Sequence, residues 1–98
     1  MKNDFMKRTL DRMIIEQLKE ILKEQKRDLD AKFKQQMELE YKRLDNADDE
    51  VELMNIDAHI EINLFAMKLQ TIIIEKIENK ILELNKRVEL SEVDEYGY

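Results

Sequence analysis

Five of the eight residues from Asp45 to Glu52 are acidic, and this cluster is the most specific chemical feature of the chain. Carboxylates carried on a thin projection can coordinate or reorganise a magnesium ion held in a partner's cavity, because magnesium takes one or two protein carboxylates beside other oxygen ligands. Asp45, Asp48, Asp49 and Glu50 are therefore the candidate partner-binding residues. Residues that cap helices around a solvated loop have the same composition, so the two readings compete. The oxygen spacing, turn glycine and distal glutamate of an autonomous calcium loop are missing. His59 is the single histidine and there is no cysteine, so no zinc ligand set exists and no metal or other cofactor is expected. Thr9, Thr71, Ser91 and three tyrosines are the only hydroxyl side chains, and none falls into a nucleophile–base pattern, so the chain reads as a non-enzyme.

The elements that carry these residues follow from composition. The chain has 98 residues, one glycine and no proline, which leaves little material for hairpin turns or bulges and points to an all-α domain. From Leu10 the apolar residues Ile14, Leu18, Ile21, Leu22, Leu29, Phe33, Met37, Tyr41 and Leu44 recur at helical spacing, predicting a helix over about 4–44 capped by Asn3 or Asp4. Lys23 to Asp28 is polar throughout, is expected to contribute nothing to a core, and is the place where local opening is expected. The periodicity breaks at 45–49, a turn whose Asp and Asn side chains compete with helical hydrogen bonding. Asp49-x-x-Glu52 then resembles a capping box, and a second helix over about 50–90 follows. Its apolar residues keep strict sevenfold spacing at Leu53, Ile60, Met67, Ile74, Ile81 and Val88, with Ile56, Leu64, Ile77 and Leu84 between them, as in a coiled coil.

Folding the chain about residue 47 makes facing residue numbers sum to about 94, which sets Tyr41 opposite Leu53, Phe33 opposite Ile60, Leu29 near Leu64, Leu22 near Ile72, Leu18 near Ile77, Ile14 near Ile81 and Leu10 near Leu84. The expected fold is one domain, a long antiparallel two-helix coiled-coil hairpin of roughly 60 Å. Ser91 is expected to end or recap the second helix, with 91–98 as a frayed acidic tail. Between Ala58 and Ile74 apolar residues occupy more faces than one seam needs. Ile62, Phe65, Leu69, Ile72 and Ile73 are expected to point away from it and to be covered by a second copy, giving a homodimeric four-helix bundle, or by another protein. A twofold axis would bring Phe65 near its own copy or near Leu69.

Charge is uneven along the chain. Residues 1–44 carry plus 3 and residues 45–98 carry minus 9, for a net charge of minus 6, which argues against direct nucleic-acid binding. No segment approaches the roughly 20 apolar residues of a membrane span and no leader is evident, so a cytoplasmic location without membrane partners is expected.

At the acidic turn and near its end the sequence resembles the DksA/TraR family, bacterial regulators whose coiled-coil hairpin enters the secondary channel of RNA polymerase. The family's tip pattern is similar to Asp45-Asn46-Ala47-Asp48-Asp49-Glu50, with Glu50 where alanine is usual. Lys76-Ile77-Glu78, Lys86-Arg87-Val88-Glu89 and Glu95-Tyr96-Gly97-Tyr98 are similar to the stretch that runs into the family's zinc finger, although the chain stops where the first cysteine pair belongs. The resemblance implies a transcription regulator, with Asp45 and Asp48 as the tip acids and RNA polymerase as the partner. A different reading of the same charges is a small acidic inhibitor that blocks a basic nucleic-acid-binding groove. A third is a purely structural coiled coil.

Overall fold

In a computed structural model the chain is an all-α helical hairpin of two helices, α1 (Lys2–Asp45) and α2 (Glu50–Glu95). The structure describes the backbone of residues 2–95 and the side chains of residues 5–90, and no strand occurs among them. Helix α1 already begins at Lys2, ahead of the expected caps Asn3 and Asp4, whose side chains lie outside the described ones. Helix α2 continues through Ser91 to Glu95, past the end expected for it, and the remainder of the expected tail lies outside the described residues.

Among the described residues the helices are interrupted only at 46–49, where the Asn46 and Asp49 side chains supply the alternative hydrogen bonds that stop one helix and start the next. Asn46 donates twice to the Lys42 carbonyl, from its backbone N–H at 3.0 Å and from Nδ2 at 2.8 Å, closing the C-terminus of α1. Asp49 is the N-cap of α2: its Oδ1 accepts the Glu52 N–H at 3.1 Å and its carbonyl accepts the Leu53 N–H at 2.9 Å.

The helices pair in two compact units, one formed by residues 1–24 with 74–98 and the other by residues 25–73. The first has an apolar interior of Ile15, Leu84 and Val88, flanked by Leu18 and Ile81, and Leu84 is only 1% exposed. At its edge the Arg87 guanidinium forks onto Asp11, donating from Nε to Oδ2 and from a terminal nitrogen to Oδ1, both at 3.1 Å. The second unit buries Ile56 and Met67, but also the polar side chains of Gln36, Asn63 and Gln70.

On α2 the inward residues Leu53, Ile56, Ile60, Asn63, Met67, Gln70, Ile74, Ile77, Ile81, Leu84 and Val88 alternate at steps of three and four, so the expected sevenfold series faces inward, but Leu64, expected between its members, is exposed and Asn63 is buried beside it instead. On α1 the inward series is different from the expected one. Arg8, Asp11, Ile15, Leu18, Leu22, Gln25, Leu29, Lys32, Gln36 and Leu39 are the least exposed, whereas Leu10, Ile14, Phe33, Met37, Tyr41 and Leu44 are exposed. Tyr41, Phe33, Ile14 and Leu10 therefore do not face Leu53, Ile60, Ile81 and Leu84 as expected, and Leu64 and Ile72, expected beside Leu29 and Leu22, are themselves exposed. Polar residues occupy inward positions of α1, and the apolar residues beside them lie on its flanks and outer side.

Candidate functional site

Three surfaces compete for a role, and the acidic turn comes first. Asp49 is committed to its own helix as the cap, so its carboxylate is only partly available to a partner. Asp45, Asp48 and Glu50 are exposed, and among the described residues no hydrogen bond or ion pair engages their carboxylates. Glu50 and Glu52 lie in the first turn of α2, where the helix dipole favours negative charge. Just inside the turn, Arg43 Nε donates to Asp57 Oδ1 at 2.7 Å between two half-exposed side chains, tying the last turn of α1 to α2. Among the described residues no group of three or more His, Cys, Asp or Glu side chains is arranged to hold a metal ion. His59 is exposed. The nearby hollows are open clefts, one lined by Glu40, Arg43, Leu44, Asp57 and Ile60, the other running along α1 past Met37, Glu40, Tyr41 and Leu44.

The second surface is internal. Asn63 Nδ2 donates to the Lys32 carbonyl and to Gln36 Oε1, each at 3.0 Å. Lys32 Nζ donates to Gln70 Oε1 at 2.7 Å, and Gln70 Nε2 donates to Gln25 Oε1 at 3.0 Å. Among the described residues no buried side-chain nitrogen or oxygen lacks a partner, so the network is satisfied and its members hold one another in register. Gln25, from the polar stretch expected to add nothing to a core, is one of its anchors. Amides and a lysine do not register in a pattern of apolar residues, so the sequence expectation misses this network. The spacing of Gln25, Lys32, Gln36 and Leu39 continues the three–four alternation of Ile15, Leu18, Leu22 and Leu29, which was the available signal.

The third surface is the outside of α2. Ile62, Phe65, Leu69, Ile72 and Ile73 are all exposed, with Ile62 at 67% and Phe65 at 64%. At 3.6 residues per turn, Ala58, Ile62, Phe65, Leu69 and Ile72 fall in a second three–four alternation centred about 160° from the inner seam. One helix thus carries two coiled-coil faces on opposite sides. The inner is satisfied by α1, in part through amides, and the outer has no helix of this chain against it among the described residues. Among the described residues no helix is long and apolar enough to cross a membrane. No protein-family model, no curated protein and no solved structure matches this chain.

Proposed function

We propose that the chain is a non-enzymatic protein-binding module that works by laying the outer face of α2 against another helix. One observation carries this reading: the exposed alternation Ala58, Ile62, Phe65, Leu69, Ile72, which repeats the spacing of a coiled-coil seam on the side of α2 away from α1. Polar side chains in the inner seam and large apolar ones on the outer face reverse the usual arrangement of a helix pair that functions alone. The test is gel filtration of the tagged chain from a cell lysate. The wild type is expected in a complex, whereas Phe65→Glu/Leu69→Lys elutes as a single chain with its helicity kept. Elution of both as single chains overturns the reading.

The exposed carboxylates of Asp45, Asp48 and Glu50 favour a second reading, in which the turn enters a cavity of a large partner. The resemblance to secondary-channel regulators supplies RNA polymerase as that partner. Replacing Asp45 and Asp48 with Asn is then expected to abolish an effect on transcription in vitro without loss of helix, since Asn caps as well as Asp. If the turn variant is silent and neutralising Glu75, Glu78 and Glu83 removes the effect, the groove-blocking inhibitor is the better description.

A further inference from the structure

We infer that the occupant of the outer α2 face is the same face of a second copy, in antiparallel register with residue numbers across the twofold axis summing to about 127. The inference rests on the reading of that face as a docking surface and names its partner. Two features of the molecule select a second copy. The first is that α2 cannot roll to cover the face with α1, because Asn63 and Gln70 are tied to Gln36, Lys32 and Gln25 on the inner side. The second is charge. The chain carries minus 6, yet residues 58–73 contain one acidic and one basic residue, Glu61 and Lys68, and so form the strip of α2 where a copy meets no excess of like charge.

Glu61 and Lys68 also fix the geometry. Both are exposed and neither forms an ion pair among the described residues. They precede Ile62 and Leu69 by one position, so they border the outer seam on one side at a separation of one heptad. In an antiparallel pair, border residues of this side face their equivalents. A sum near 127 packs Ile62 against Phe65 of the copy and Ala58 against Leu69, a small residue opposite a large one. The same register sets Glu61 of each chain beside Lys68 of the other, twice by symmetry. Sliding by one heptad, to a sum near 134, packs Phe65 against Leu69 but sets Lys68 beside its own copy. A parallel pair sets neither charge opposite a charge. Of these arrangements the antiparallel register near 127 is the one that sets both charges beside opposite ones, with Ile72 then facing Asn55 of the copy.

Sedimentation equilibrium of the purified chain and three variants tests this. The wild type is expected to be a dimer at micromolar concentration. Glu61→Lys and Lys68→Glu each place like charges together twice and are expected to raise the dimer dissociation constant about tenfold. The double variant Glu61→Lys/Lys68→Glu restores opposite charges and is expected to return to within about twofold of the wild type. Circular dichroism is expected to be the same for all four, since both positions are exposed. A monomeric wild type overturns the inference while leaving open capture by a different helix, which the lysate experiment reads separately. Silent single variants, or a double variant as weak as the singles, overturn the antiparallel register.

Discussion

The two helical units are cut from the same pair of helices but are held together differently. The first packs Ile15, Leu84 and Val88 into an apolar interior and leaves one forked ion pair, Asp11 with Arg87, at its edge. The second keeps Ile56 and Met67 inside but fills other inner positions with Gln36, Asn63 and Gln70, and leaves Phe33, Met37, Phe65 and Leu69 exposed. Apolar packing stabilises without choosing a direction. Hydrogen-bonded amides contribute less but fix one register and one rotation, because any other leaves them unpaired. Both units leave large apolar side chains exposed, Leu10, Met13 and Leu82 in the first among them, so the difference between them lies in what fills the interior: apolar side chains in the first, hydrogen-bonded amides beside apolar ones in the second.

The largest expected effect is in the first unit. Leu84→Ala removes its most buried side chain and is expected to destabilise the chain by about 2–5 kcal/mol, measured by thermal or denaturant unfolding. A loss below about 1 kcal/mol would erase the contrast between the units. Next is Asn63→Ala, which strips the donor from Gln36 Oε1 and the Lys32 carbonyl and is expected to destabilise by about 1–3 kcal/mol. The comparison sharpens with Gln36→Leu/Asn63→Leu/Gln70→Leu. This variant is expected to match or exceed the wild type in stability, since satisfied polar groups are often replaced by apolar ones without loss. It is also expected to form a mixture of assemblies by sedimentation velocity, because nothing then holds the outer face outward. A single species would show that the amides do not specify rotation.

Smaller effects belong to the turn. Asp49→Ala loses the cap on the Glu52 N–H and is expected to lower stability by about 1 kcal/mol, whereas Asp49→Asn is expected to be nearly neutral. Arg43→Ala breaks an ion pair between half-exposed groups and is expected to change stability by less than about 1 kcal/mol, an effect that shrinks further in high salt.

The helical class, the break after Leu44 and the sevenfold half of the α2 inner seam were legible in the sequence, because Leu53, Ile60, Met67, Ile74, Ile81 and Val88 are apolar at every sevenfold step, whereas Asn63 and Gln70 between them were not, and Leu64, expected there, is exposed. The inner seam of α1 was not legible. There apolar residues alternate between faces, and choosing Ile14 over Ile15 and Phe33 over Lys32 rotates the helix away from its true inner side. Hydrophobicity cannot identify a seam whose members are Gln25, Lys32 and Gln36, since their burial depends on partners in α2 that a one-dimensional pattern does not reveal. The acidic turn was legible as capping chemistry as well as a surface. In the folded chain Asp49 performs the first role, and the carboxylates of Asp45, Asp48 and Glu50 stay exposed.

Hydroxyl-radical footprinting of the purified chain over a dilution series tests the two-faced α2 directly, with exposed Met13 as an internal reference. Met67, on the inner seam, is expected to stay protected at every concentration, while Phe65 and Leu69 are expected to be protected at high concentration and to become labelled on dilution. Labelling of Met67 as fast as Met13, or of Phe65 at the rate of an exposed side chain at every concentration, would contradict it.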